Sequence, residues 1–259
     1  MKSVILLTIL SVGSYSLASP VKIDPRIDWR IVGGSTAAPG QFPFIISLRT
    51  ASNSHTCGGS LIANDWVVTA AHCVYNARPT SLSVVAGINQ LNADAQGVRA
   101  SISKIIVHPD YNQNIITNDI ALLKLANPIQ ETDLIKIVSL ESKENDVVRN
   151  CTLIGWGRTS YPGNIPNDLQ FLNLKTLTYE QCKSAWATET IVQSEICTLT
   201  QTGEGACHGD SGGPLVEESG EKVNLIGLVS WGAPCARGVP DVYTRVSAFL
   251  PWIKENTNI

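Results

Sequence analysis

The chain has 259 residues, of which 44% are hydrophobic and 16% charged, and carries a formal net charge of −3. That length and apolar content supply a sizeable core, and no basic run or basic–aromatic interleaving suggests nucleic acid or an anionic membrane as a partner. Both are excluded as expected partners.

Residues 4–10, Val-Ile-Leu-Leu-Thr-Ile-Leu, follow Lys2 and precede the small residues Ser16, Ala18 and Ser19. This is the pattern of a secretory signal peptide over residues 1–18, and the run is too short to anchor the chain in a membrane. No later segment is long and apolar enough to span a bilayer, so a secreted, extracellular protein is expected, in an oxidising compartment that permits disulfides. Residues 1–30 hold four basic and two acidic residues; without them the formal charge moves from −3 to −5. From Ile31 the sequence breaks into short β-rich runs between Gly, Pro, Asn and Ser, at residues 44–48, 66–68, 81–86, 104–107 and 225–229. The pattern predicts an all-β protein. A short helix is predicted near residues 179–186, and Val246, Phe249, Leu250 and Ile253 recur at helical steps that predict a C-terminal helix.

Residues 209–214 read GDSGGP, which proposes Ser211 as a nucleophile between glycines that free its backbone amides. A serine hydroxyl is a weak nucleophile near neutral pH, so it requires a general base and a buried carboxylate to orient that base. His72 lies in TAAHC, residues 69–73, directly after the apolar run 66–68, with small alanines leaving room around the imidazole. Asp119 opens DIALLKL, residues 119–125, where a carboxylate entering an apolar stretch must be hydrogen-bonded or paired to remain ionised. Only tertiary folding brings these three together. Standing alone, GDSGGP also fits a glycine-rich turn and TAAHC an ordinary core histidine. The accompanying IVGG at 31–34, GWG at 155–157 and SWG at 230–232 make coincidence a poor account.

With these motifs in this order, residues 31–253 resemble the chymotrypsin family of trypsin-like serine endopeptidases. The resemblance implies a protease domain over residues 31–259, built as two six-stranded antiparallel β-barrels with a C-terminal α-helix and an active site in the cleft between them. It implies peptide-bond hydrolysis through an acyl-enzyme, with His72 as base, Asp119 orienting it, Ser211 as nucleophile, and the amides of Gly209 and Ser211 as the oxyanion hole. Ser230 is expected to hydrogen-bond Asp119. The backbone of 230–232 is expected to pair with an extended substrate, with Trp231 packing on its side chains and Gly232 leaving the pocket mouth open. Residues 19–30 become an activation propeptide: cleavage after Arg30 frees the Ile31 ammonium, whose buried counter-charge is Asp210. Disulfides Cys57–Cys73, Cys182–Cys197 and Cys207–Cys235 are implied. Cys151 is left as a buried free thiol, because the position of its usual partner holds Glu217. The implied partners are protein or peptide substrates, an activating trypsin-like protease and protein protease inhibitors, acting on a monomer. No cofactor is expected, and no metal, since residues 87–97 offer only Asp94 where some relatives bind calcium.

The primary pocket departs from the most familiar relatives. Where trypsin-like enzymes carry an aspartate, two residues before Cys207, this chain has Gly205; Asp241 instead occupies the opposite wall. The pair resembles the broad-specificity collagenolytic serine proteases of arthropods, which implies chymotrypsin-like but broad selectivity and a digestive or secreted-effector role. Elastase-like or trypsin-like selectivity and a non-catalytic binding homologue are the competing readings. Asn150-Cys151-Thr152 matches a glycosylation sequon. His55 and His108 are expected on the surface or in turns, and His208 beside the pocket.

Overall fold

Short runs of β-branched and aliphatic residues, cut by glycine and proline turns, fold into strands as the pattern predicts. The computed structural model describes residues 31–259 apart from 144–145, 200, 221 and 234; the signal segment, the activation segment and Arg30 lie outside the described residues. In chain order the strands are β1 (Ser35–Thr36), β2 (Ile45–Thr50), β3 (His55–Ala63), β4 (Trp66–Thr69), β5 (Leu82–Ala86), β6 (Val98–Val107), β7 (Ala121–Leu125), β8 (Ser139–Leu140), β9 (Asn150–Gly155), β10 (Gln170–Thr176), β11 (Glu195–Leu199), β12 (Pro214–Ser219), β13 (Lys222–Trp231) and β14 (Asp241–Arg245).

The strands form two closed antiparallel barrels of six. The first runs β2-β3-β4-β7-β6-β5, and the second β9-β10-β11-β14-β13-β12, closed by the pairing of β12 with β9. Closure removes the unpaired edges that an open sheet would expose. Alternation sets which residues enter: in β10, Gln170, Leu172, Leu174 and Thr176 point inward, while Asn173 and Lys175 face solvent. Ile46, Leu48, Leu61, Val67, Val84 and Leu123 fill the first barrel. Leu153, Leu174, Ile196, Leu215, Ile226 and Tyr243 fill the second. A further cluster spans both, joining Phe44, Trp66, Val68 and Leu122 to Ile154, Trp156, Leu228 and Phe249. Burying each such side chain is worth about 1.5–3 kcal/mol, so the shared cluster holds the barrels against each other and keeps a site divided between them in register.

The two predicted helices are present, one with altered form. Helix α1 (Tyr179–Ala185) begins at a capping box, in which the Thr178 hydroxyl accepts from the Gln181 amide while the Gln181 side chain accepts from the Thr178 amide at 3.0 Å. The C-terminal segment divides into a 3-10 turn (Val246–Phe249) and helix α2 (Leu250–Thr257). Pro251 stands in the first turn of α2, where its missing N–H has no intrahelical partner to lose.

The three implied disulfides are formed: Cys57–Cys73, Cys182–Cys197 and Cys207–Cys235. Cys151 is free and buried on β9, and burial pushes its thiol up to about 12. Beside it the Arg149 guanidinium bridges Glu217, at 2.7 Å, and Glu141, at 3.3 Å. An ion pair thus joins β9 to β12 where the resemblance has a disulfide. Among the described residues, no helix is long and apolar enough to cross a membrane.

Candidate active site

The register between β4 and β7 explains how His72 meets a carboxylate 47 residues away. Thr69 pairs with Ala121 at the end of the ladder, so the chain leaving β4 and the chain entering β7 run side by side. The 3-10 turn Ala71–Cys73 then aims His72 across that gap. Asp119 accepts from the His72 ring Nδ1 at 2.7 Å and from the His72 backbone amide at 2.8 Å. Ser230 Oγ donates to the same Oδ2 at 2.6 Å, from a bulge between Val229 and Trp231 that re-aims the side chain. Thr244 Oγ1 donates to the Asp119 carbonyl at 2.7 Å. The carboxylate is 1% exposed and accepts three hydrogen bonds, which hold it against the ring. With Nδ1 directed at Asp119, the opposite ring nitrogen is left available for proton transfer.

Ser211 belongs to the turn that precedes β12. Its carbonyl accepts from Gly58 N at 2.8 Å, Gly212 N bonds the Val229 carbonyl at 2.8 Å, and the Cys57–Cys73 bridge ties β3 to the turn carrying His72. The turn is closed by Asp210 N to the Cys207 carbonyl at 3.0 Å and Gly213 N to the Asp210 carbonyl at 2.8 Å. Gly209 has φ 104°, a conformation in which any Cβ would be strained. Asp210 is 0% exposed. Burial raises its carboxyl to about 6, against two backbone amides that donate to it, Cys207 N at 3.0 Å and Gly157 N at 2.7 Å. Ile31 is likewise 0% exposed, within the second barrel's cluster, and Val32 pairs with Gly205.

A cavity of about 200 Å³ opens beside Ser211, lined by Ala206, Cys207, His208, Val229, Ser230, Trp231, Gly232 and Asp241 among others. Asp241 is 4% exposed, and its Oδ2 accepts from the Ala206 amide at 2.7 Å. Burial raises its carboxyl to about 7; the Ala206 bond opposes that, and the nearby Asp210 adds to it. A side chain at Gly232 would come within 3.0 Å of Asp241 Oδ1, so glycine there keeps the wall open. Gly205, read from sequence as a wall residue, is paired through its backbone with Val32, and its neighbour Ala206 lines the cavity.

Trp231 is held from behind by residues that motif reading misses. Its indole N–H donates to Glu195 Oε1 at 3.0 Å, and its ring packs on Trp186 at 5.0 Å. Glu195 is buried, which raises its carboxyl, and its other oxygen accepts from Val192 N at 2.9 Å. An acidic residue beginning the apolar run 195–197 was the available signal. His55 is a correction: it is neither a surface nor a turn residue. Its ring lies edge-on to Trp156 and bonds Ser47 Oγ at 2.8 Å and the Gly209 carbonyl at 2.9 Å. His108 does begin a turn, packed against Phe249 and Trp252. His208 is exposed at the cavity rim beside Tyr161. Asp94, the lone acid of the 87–97 loop, is engaged by Arg49, Arg99 and Asn53.

Comparison with known proteins places the chain in a family. The family model described as Trypsin matches residues 31–253. Chymotrypsin-2 of Vespa crabro is 42% identical over 231 residues, covering 87% of this chain and 99% of that protein.

Proposed function

The chain belongs to the trypsin family of serine endopeptidases, and from that premise we propose that Ser211 is its nucleophile, His72 the general base and Asp119 the carboxylate that orients the base. In this reading His72 takes the Ser211 proton as the hydroxyl attacks a peptide carbonyl, then returns it to the leaving amine. Asp119 stabilises the imidazolium that forms between these steps. The amides of Gly209 and Ser211 receive the developing oxyanion, each such donor being worth about 3 kcal/mol of barrier. The observation that carries the reading is the buried Asp119 carboxylate, with His72 and Ser230 both donating to Oδ2. Ser211→Ala tests it: turnover of peptide substrates falls by several orders of magnitude with folding intact. Retention of turnover overturns it.

The protein is further proposed to be secreted as an inactive precursor. Cleavage after Arg30 creates an ammonium at Ile31, and the buried Asp210 carboxylate offers the counter-charge; burial raises its pKa, and the Gly157 and Cys207 amides that donate to it only partly offset that. Pairing would order the 207–211 turn, and with it the oxyanion amides. Substrate backbone would add to 230–232 as a strand, with side chains against Trp231. Asp241 in a mostly apolar cavity supports broad selectivity, taking Phe, Tyr or Leu and also basic side chains. Profiling the activated enzyme on a peptide library tests this, and cleavage confined to one side-chain class overturns it.

A further inference from the structure

We propose that Asn150, at the start of β9, carries an N-linked glycan in the secreted protein, with its first sugars lying in a groove on the outer face of the second barrel. The inference rests on the reading that the chain enters the secretory pathway.

Asn150-Cys151-Thr152 is the one Asn-X-Ser/Thr sequence in the chain. Folding decides whether such a sequence can hold a bulky group. Cys151 and Leu153 enter the core of the second barrel, so alternation puts Asn150 and Thr152 on its outer face. Asn150 is exposed, and among the described residues its side-chain amide makes no hydrogen bond that a sugar would break. A disulfide at the middle position would fold the segment away and compete with sugar transfer, but Cys151 is unpaired. Transfer takes place on the open chain, so the later burial of Thr152 does not block it.

The outer face beside Asn150 is a groove of about 830 Å³. Phe42 and Phe171, with ring centres 5.4 Å apart, give it apolar ground, and Asn173, Lys175 and Glu218 give it polar side chains. That mixture suits a sugar, whose C–H face packs on aromatic rings while its hydroxyls hydrogen-bond. Register sets the direction: on β10, Lys175 pairs with Asn150, Asn173 with Thr152 and Phe171 with Ile154. Thr152 Oγ1 donates to Asn173 Oδ1 at 3.0 Å, which leaves the Asn173 N–H groups to donate to a sugar. Phe171 then follows about 13 Å along the strand from Asn150. The catalytic turn lies the same way but further: the Asp210 carboxylate meets Gly157 beyond the far end of β9, past roughly 17 Å of strand. Short sugars in the groove therefore leave the cleft open to substrate.

In the transfer, the Asn150 amide nitrogen attacks C1 of an oligosaccharide carried on a lipid diphosphate. The C–N bond forms as the C1–O bond breaks, the lipid diphosphate leaves with that electron pair, and the amide nitrogen releases one proton.

The experiment expresses the full chain with its own signal segment in eukaryotic cells and weighs the protein from the medium by intact-mass spectrometry. The mass should exceed that of the polypeptide by one N-glycan. N-glycosidase should remove it and convert the Asn150 amide to a carboxylic acid, which peptide mass spectrometry locates. Asn150→Gln should lose the whole increment, with kcat and KM of the activated enzyme unchanged. Thr152→Ala should lose it too, and Thr152→Ser should retain it. Should Asn150→Gln not be secreted, N-glycosidase treatment of the folded wild type gives the same kinetic comparison. NMR of the glycoprotein should show NOEs between the N-acetyl methyl protons and the Phe171 ring. A glycan without those contacts, or one whose removal changes kcat or KM, overturns its placement in the groove. The two readings separate cleanly: a chain retained inside the cell overturns secretion and glycan together, whereas a secreted chain with Asn150 unmodified overturns the glycan alone.

Discussion

Replacing Asp241 by glycine should remove a pH-dependent preference for basic side chains. Burial raises the Asp241 carboxyl to about 7, so the group is protonated below that pH and ionised above it. Between pH 6 and pH 8 the ionised fraction climbs from about one tenth to about nine tenths. A guanidinium ~7 Å from the ionised carboxylate gains about 2 kcal/mol at an effective dielectric of 20, roughly 30-fold in kcat/KM. Weighted by those fractions, the ratio of kcat/KM for an Arg substrate to that for a Phe substrate should rise about sevenfold from pH 6 to pH 8. The assay measures both substrates across that range. Because kcat/KM reports the free enzyme, and both substrates meet the same catalytic groups, the ratio isolates groups in the pocket. The Asp241→Gly profile is the control that assigns the slope. In that variant the rise should collapse and the Arg preference fall by roughly 30-fold at pH 8. An unchanged ratio and slope would refute the reasoning and leave the cavity chymotryptic or elastase-like.

Three further outcomes are expected. Arg30→Gln should leave the protein nearly inactive after treatment with a trypsin-like protease, as read by peptide hydrolysis; full activity without processing contradicts the Ile31–Asp210 switch. Alkylation without reduction should label no cysteine in the native protein and Cys151 alone after unfolding, because the thiol is buried and its pKa raised; mass spectrometry showing a second label contradicts the disulfide pairing. Glu217→Gln should destabilise the fold by about 1–2 kcal/mol in urea denaturation, since it removes the 2.7 Å partner of a largely buried Arg149 and leaves only the longer contact to Glu141. An unshifted midpoint means that the pair contributes nothing to joining β9 and β12.

Much of the site is legible before folding because its chemistry restricts residue types over a few positions. GDSGGP declares a nucleophile with free amides, and TAAHC places an imidazole among small neighbours. Asp119 is half legible. A carboxylate at the head of an apolar strand demands partners, but which ones depends on the β4–β7 register and on a bulge in β13. His55 is misread from sequence because its partner Gly209 lies 154 residues away, across the boundary between barrels. Glu195 and Trp186 escape notice for the same reason: their role is to hold Trp231, and nothing local announces it.

The amino-acid sequence by itself determined the all-β class, the short helix before β11, the C-terminal helical segment and the three motifs from which a hydrolytic centre is inferred. These follow from alternation, helical periodicity, turn chemistry and short local motifs, which act between neighbours in the chain. The tertiary structure alone decided the protonation and direction of the groups that surround the motifs. Asp241 is raised toward neutrality by the walls that bury it, and Asp210 accepts from the Gly157 amide, 53 residues away, as well as from Cys207 in its own turn. His55 is driven neutral between Ser47 and Gly209. Desolvation and hydrogen-bond direction depend on every atom packed around a group, and those atoms come from residues that only the closing of two barrels brings together.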